Sequence, residues 1–144
     1  MNARFLRYTL ILGLAAVGAG CREATTGDPA LRAAAGLYLL ATVNGQQVPT
    51  SDPMAAIGGS IYLSPSGKAE RHVTFRTYNG GTEEVQSAGS FRFENDSLVL
   101  ELAPKIDPPP GSWRVAASLV SGTLRMGYPG PTDAWMNEEY RRQW

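Results

Sequence analysis

The chain has 144 residues, of which 13 are basic and 13 acidic, so its formal net charge is zero. This length allows one domain with a core that needs no disulfide or metal, and the neutral charge gives no indication of nucleic-acid binding. Cys21 is the single cysteine, which excludes a disulfide within the chain and the multi-cysteine zinc sites. Sixteen glycines and ten prolines favour short elements joined by tight turns over long helices.

The first 21 residues have the pattern of a secretory signal peptide. Arg4 and Arg7 form a basic start, and Tyr8–Val17 is an apolar run that is too short to span a bilayer comfortably. Small residues follow and lead directly to Cys21. The segment therefore predicts export of the chain.

The end of this segment resembles the lipobox of bacterial lipoproteins, in which small residues directly precede a cysteine. Here they are Val17-Gly18-Ala19-Gly20-Cys21, with Gly18 where leucine is usual. The resemblance implies that residues 1–20 are removed and that Cys21 carries acyl chains such as palmitate. An ordinary signal peptide or an uncleaved anchor are the alternatives. We favour the lipoprotein because the only cysteine lies at this junction.

The residue after the cysteine bears on location. In enteric lipoproteins an aspartate at that position is the usual inner-membrane retention signal, and this chain has Arg22. The resemblance therefore implies a protein held in the bacterial envelope by its lipid, in the outer membrane and facing the periplasm. Without residues 1–20 the chain has eleven basic and thirteen acidic residues, a net charge of about −2 that suits this setting.

Residues 21–35 are predicted to form a lipidated tether and a short helix. Asp28-Pro29 is a helix start, with a capping residue before proline at the first helical position. Ala30–Ala35 allows one or two turns before Gly36. Such a short helix is marginal alone and must dock on the rest of the domain.

The first strand is predicted at Gly36–Val43, followed by the hairpin signal Asn44-Gly45. This turn pairs Val43 with Gln46 and Ala41 with Val48. Both faces of the strand carry apolar side chains, so alternation leaves the inward face open. A loop is predicted over Pro49–Ala56.

Three further strands are predicted before residue 95, at Ile57–Ser64, Lys68–Tyr78 and Thr82–Glu94. The third is the first arm of a hairpin over Gly89–Leu102 that turns at Asn95-Asp96. Its register places three pairs of residues opposite each other: Phe93 with Leu98, Phe91 with Leu100, and Gly89 with Leu102. One face is then apolar and the other carries Ser90, Arg92 and Glu101, so a one-residue slip would mix the faces.

The remaining chain alternates between loops and strands. The four prolines in Ala103–Gly111 predict an irregular loop. Strands follow at Trp113–Val120 and Thr123–Gly127, and a loop at Tyr128–Thr132. Asp133–Trp144 fits a last strand or a short helix capped by Asp133, and we favour the strand.

Eight or nine strands in meander order predict an all-β fold, either a closed up-and-down barrel or a β-sandwich. The pattern Gly36-Leu37-Tyr38-Leu39-Leu40 after a short helix resembles the start of lipocalin-like barrel domains of bacterial lipoproteins. The later Gly89–Phe93 hairpin and the closing Tyr140-Arg141-Arg142 fit the same resemblance. It implies a lipocalin-like barrel of about eight strands over residues 36–144.

No residue is assigned a catalytic, cofactor or metal role. His72, the only histidine, is expected on the solvent face of its strand. The acidic pairs Glu83-Glu84, Glu94/Asp96 and Glu138-Glu139 are interpreted as solvated surface charge. Five aromatic residues either line a pocket or close the barrel ends: Trp113, Trp135, Trp144, Tyr128 and Tyr140.

Two functional hypotheses follow. The first is a lipid-anchored barrel that binds a small apolar ligand through residues that the sequence does not identify. The second is a filled barrel that binds or inhibits an envelope protein through its loops, motivated by the loops Pro49–Ala56 and Ala103–Gly111. An enzyme is not expected, because no pairing of a nucleophile with a base is evident.

Overall fold

A computed structural model describes residues 27–49, 55–106, 111–129 and 134–144. The signal segment and Cys21 lie outside the described residues. One helix and nine strands are present in the described ranges: α1 (Pro29–Ala34), β1 (Gly36–Val43), β2 (Gln46–Gln47), β3 (Ala56–Leu63), β4 (Lys68–Arg76), β5 (Thr82–Glu94), β6 (Ser97–Pro104), β7 (Trp113–Val120), β8 (Thr123–Pro129) and β9 (Trp135–Arg142). Within these ranges no helix is long and apolar enough to cross a bilayer.

The strands form a closed antiparallel barrel. Eight strands, β1 and β3 to β9, form the barrel. Each is hydrogen-bonded to the next, and β9 closes the ring by pairing with β1. The short strand β2 is an extra strand on the edge of β1. The all-β meander predicted from the turn signals is confirmed as a barrel, and closure removes the free sheet edges that a sandwich would keep.

The hairpin of β5 and β6 confirms the predicted register. Phe93 pairs with Leu98 and Phe91 with Leu100. Asn95 and Asp96 have φ angles of 48° and 63°, the left-handed backbone that this two-residue turn requires. At Gly89, opposite Leu102, any side chain would collide with the carbonyl oxygen of Glu101, so only glycine fits there.

The barrel has two different ends. At the helix end lie α1, the turns at residues 64–67, 95–96 and 121–122, and the C-terminal residues 143–144. At the loop end lie the turn at 44–45, the turn at 77–81, and the connections from β2 to β3, from β6 to β7 and from β8 to β9.

Helix α1 docks across the helix end. Asp28 caps it by accepting a hydrogen bond from the Ala30 amide at 2.9 Å. The buried Tyr38 hydroxyl donates to the Ala34 carbonyl at 2.6 Å, and the Arg142 guanidinium donates to the carbonyls of Ala33 and Ala35. These contacts satisfy carbonyls at the end of the helix and hold a six-residue helix that would be marginal alone.

The inward face of β1 is now defined. Tyr38 and Leu40 are buried, whereas Leu37 and Leu39 on the other face are about two-fifths exposed. The Asn44-Gly45 turn has the predicted register, with Val43 opposite Gln46 and the Val48 amide bonded to the Ala41 carbonyl at 2.9 Å.

Two predicted loops begin too early. β6 continues through Ala103 and Pro104, which were predicted as loop. Proline is tolerated because the pairing of β6 with β7 ends at Leu102. The missing amide of Pro104 therefore faces an edge that no described strand pairs with. Likewise β8 continues through Tyr128 and Pro129, which pair with β9. The last segment, predicted as strand or helix, is a strand.

Candidate functional site

A charged side chain lies inside the barrel on β4. Ala69, Arg71 and Val73 alternate with outward residues and all face the interior, with Arg71 only 3% exposed. Strand alternation therefore forces the guanidinium into the core, because a slip of one residue would bury the outward row instead. β4 lies opposite β8 in the ring, so Arg71 must find its partners across the barrel.

The partner of Arg71 is Glu138 on β9, which is 2% exposed. The Arg71 Nε donates to Glu138 Oε2 at 3.1 Å, and Nη2 donates to Oε1, so the pair is bidentate. Bidentate pairing is the strongest form of this interaction and fixes the orientation of both groups.

Two tyrosine hydroxyls complete the cluster. Tyr128 donates to Glu138 Oε1 at 2.6 Å, and Tyr140 donates to Oε2 at 2.7 Å. Each hydroxyl also accepts from Arg71, at 2.9 Å for Tyr128 and 3.0 Å for Tyr140. We call Arg71, Glu138, Tyr128 and Tyr140 the interior polar cluster.

Aromatic rings enclose the guanidinium on the side of the loop end. The Arg71 Cζ lies 5.8 Å from the ring centre of Trp113 and 5.7 Å from that of Tyr128. The two rings contact each other at a centroid separation of 4.8 Å. Such cation–π contacts stabilise a buried cation beyond its ion pair.

One guanidinium nitrogen has no bond within the cluster. Among the described residues, Arg71 donates hydrogen bonds through Nε and Nη2 but not through Nη1. No fully buried side-chain nitrogen or oxygen in the described ranges lacks a partner. Nη1 is therefore not completely shielded by protein atoms, and the guanidinium that carries it lies beside the rings of Trp113 and Tyr128.

The electrostatics of the cluster follow from burial. Desolvation raises the pKa of Tyr128 and of Tyr140, and the Glu138 carboxylate raises both further against the opposing effect of Arg71. Burial acts to lower the pKa of Arg71, but Tyr140, Glu138 and Tyr128 outweigh it and the net pKa rises. Around neutral pH the cluster thus holds a cation and two neutral phenols.

The five aromatic residues singled out in the sequence lie in different parts of the barrel. Trp113, Tyr128 and Tyr140 meet around Arg71 in the interior. Trp135 at the loop end and Trp144 at the helix end are 60% and 99% exposed and lie outside it.

The interpretation of Glu138-Glu139 as a solvated pair is wrong for Glu138. Alternation on β9 puts Glu138 and Tyr140 inside the barrel and Glu139 outside, where Arg125 bonds it at 2.9 Å. The sequence contains a signal for this burial, because each charged residue shares its strand face with apolar residues. Glu138 shares its face with Met136 and Tyr140, and Arg71 shares its face with Ala69 and Val73.

His72 lies outside, as predicted. Its side chain is 38% exposed, and Nδ1 lies 2.9 Å from Glu84 Oε1 on the neighbouring strand. This hydrogen bond lowers the pKa of Glu84. His72 is therefore on the opposite face of β4 from the interior polar cluster.

An open depression of about 490 Å³ lies along β7, β8 and β9, and Glu138 of the interior polar cluster is among its lining residues. Outward residues form much of its lining, among them Thr42, Ser118, Arg125, Asn137 and Glu139. The lining therefore combines these polar side chains with apolar groups such as Ala117 and Met126.

Comparisons of the chain with family models, with curated proteins and with solved structures find no match.

Proposed function

We propose that this protein is held in the bacterial envelope by a lipid on Cys21 and that its barrel binds a small apolar ligand at the loop end. The lipid and the outer-membrane location rest on the lipobox-like Val17–Cys21 and on Arg22. The lipocalin-like character of the domain is part of this proposal and rests on the strand order. We propose a binding protein and not an enzyme.

The observation that carries the ligand proposal is the Nη1 donor of Arg71 beside the rings of Trp113 and Tyr128. Ligand sites combine apolar and aromatic walls with a few fixed polar groups, and the mouths of barrels are a common location. The half-buried Val43, Phe75 and Trp113 supply apolar wall around the core. The ligand would therefore have an apolar body and one hydrogen-bond acceptor directed at Nη1.

The cost of the cluster supports a functional role. A buried ion pair seldom stabilises a fold more than apolar side chains of the same volume would. Buried ionisable groups with perturbed pKa values concentrate at functional sites. The helix-end half of the same barrel is filled by apolar residues, so the fold itself does not require a charged pair.

Fractionation of cells tests the anchor. Cys21→Ser should move the protein from the membrane fraction to a soluble or unprocessed form, because two or more acyl chains hold a protein stably whereas none does. A correctly cleaved Cys21→Ser protein that stays in the membrane fraction would contradict lipidation.

Extraction of the purified protein with organic solvent tests the ligand. The extract should contain one apolar small molecule at a constant ratio to protein, identified by mass spectrometry. The same species must be missing from an envelope protein purified identically from the same cells.

Binding of an envelope protein through the loops is a second candidate. It is favoured by three large apolar side chains exposed at the loop end: Tyr78 at 85%, Ile106 at 61% and Trp135 at 60%. Tyr78→Ser with Ile106→Ser should reduce cross-linking to that protein without changing the unfolding midpoint. Unchanged cross-linking would count against this candidate.

A further inference from the structure

We propose that the helix end of the barrel, with the adjoining outer face of β3, β1 and β9, lies against the membrane surface. The inference rests on the proposed lipid anchor at Cys21. It adds an orientation: the helix end faces the bilayer, and the loop end faces away from it.

The length of chain between the anchor and the domain limits the distance. Gly27, the first described residue, is six positions after Cys21, and α1 begins at Pro29. Six residues extend over at most about 20 Å. The lipid would therefore keep the helix end, where α1 docks, within about 20 Å of the bilayer.

The surface near α1 exposes apolar side chains that the core does not need. Leu37 and Tyr62 face outward from directly paired positions of β1 and β3, and are 42% and 46% exposed. Leu39, next on the same face of β1, is 41% exposed. We call Leu37, Leu39, Tyr62, Val120 and Trp144 the helix-end patch.

The other members of the patch extend it past β9. The Gln143 amide bonds to the Leu37 carbonyl at 2.8 Å, which carries the C-terminal residues along β1. Trp144, at 99% exposure, follows Gln143 and lies near Gly122 in the turn after Val120, which is 59% exposed. The Trp144 ring also lies 5.4 Å from the Arg142 guanidinium, whose Nη1 and Nη2 bond carbonyls at the end of α1.

The composition of this surface fits a lipid interface better than a protein partner. Tryptophan and tyrosine are enriched at the level of lipid headgroups, and leucine and valine enter the acyl boundary. The acidic Glu70 is paired with Tyr62, and Arg141, paired across the strands with Leu39, lies 3.5 Å from Glu139. The exposed cations on these outer faces are Lys68 and Arg141. They match the anionic headgroups that attract basic residues to membrane surfaces.

The tryptophans provide an internal comparison. Trp144 belongs to the helix-end patch, Trp135 lies at the loop end, and Trp113 is in the interior. Acyl-chain bromines quench tryptophan only over short distances. Quenching by a brominated bilayer therefore reports which end contacts the lipid.

The experiment uses the full lipidated chain in vesicles of phosphatidylethanolamine and phosphatidylglycerol, with or without brominated acyl chains. We expect bromolipid to quench the wild type and Trp135→Phe, and we expect Trp144→Phe to lose that quenching. Trp144 is fully exposed, so its replacement should leave the fold intact.

The outcomes separate the two proposals. Protein that floats with the vesicles while Trp144→Phe is quenched as strongly as the wild type would overturn the docking and leave the anchor. Wild-type protein that floats with the vesicles but shows no quenching by bromolipid would also overturn the docking and leave the anchor. Protein that does not float would overturn the anchor, and the orientation with it.

Discussion

The two halves of the barrel interior differ in chemistry although the same strands build both. Toward the helix end, the core is apolar and includes Leu63, Phe91 and Leu98, none more than 2% exposed. From the middle of the barrel toward the loop end, the same inward rows add Arg71, Glu138 and their tyrosine partners to apolar residues such as Val73 and Leu102. The apolar half explains why the barrel folds with one register, and the polar half is where a ligand can be recognised.

The apolar core toward the helix end accounts for the stability of the barrel, whereas the interior polar cluster is the part assigned to ligand binding. Apolar burial stabilises the domain in proportion to area, and any well-packed set of side chains suffices. The interior polar cluster, in contrast, requires all four of its side chains in one geometry. It leaves Nη1 of Arg71 free to donate to a further acceptor.

Arg71→Met should lower the free energy of unfolding by about 3–5 kcal/mol, because it leaves the Glu138 carboxylate buried without a counter-charge. Urea denaturation followed by circular dichroism measures the loss. The double variant Arg71→Met with Glu138→Leu should be more stable than the single variant. A single variant within about 1 kcal/mol of the wild type would show that the pair is not buried in solution.

Leu100→Ala should cost about 2–5 kcal/mol, because Leu100 is fully buried and its removal leaves a cavity. The same urea titration measures it. Unlike the Arg71 variant, this protein should still carry the proposed ligand. Loss of the ligand from both variants would contradict the division between the two halves.

Stability should fall steeply as the pH rises above 10, the ordinary pKa of tyrosine. Folding raises the pKa of Tyr128 and Tyr140, so their contribution is complete below pH 10 and is lost as the pH rises toward the folded values. Each such group contributes a slope of about 1.4 kcal/mol per pH unit in that range. Unfolding midpoints at several alkaline pH values measure the slope, and Tyr128→Phe should reduce it. An unchanged slope in that variant would contradict the assignment.

Asp28→Ala should lower stability by about 1 kcal/mol, because it removes the side-chain cap of a six-residue helix. Asp28→Asn keeps an oxygen that accepts from the Ala30 amide and should be close to the wild type. Thermal unfolding of the two variants measures the difference. Equal losses would show that charge, and not capping, matters at the helix end.

His72→Ala should have the smallest effect, with no measurable change in stability at neutral pH, since its hydrogen bond to Glu84 is exposed to solvent. Ligand content should also be unchanged. A large loss of bound ligand would place the site on the outer face of β4 instead of the interior.

Sequence reasoning located the strands because turn signals and alternation are local. The Asn95-Asp96 turn requires left-handed backbone. The alternation of Phe91 and Phe93 with polar residues determines which face of β5 is buried. Strand ends were predicted less well where proline is tolerated, as at Pro104. There the outcome depends on whether a neighbouring strand needs an amide, which is a property of the sheet.

The interior polar cluster could not be assembled from sequence. Arg71 and Glu138 are 67 residues apart, and their contact depends on closure of β9 onto β1. Each residue alone resembles an ordinary surface charge, and Glu138 beside Glu139 was interpreted in that way. Only the alternation of each strand, combined with the closed ring, brings them together.

Native mass spectrometry of the full chain, released gently from its own membranes, shows whether the interior polar cluster holds a ligand. We expect one extra apolar mass on the wild type and on Leu100→Ala, and none on the double variant Arg71→Met with Glu138→Leu. A bare protein mass in the wild type, or the same extra mass on all three proteins, would contradict ligand binding at the interior polar cluster.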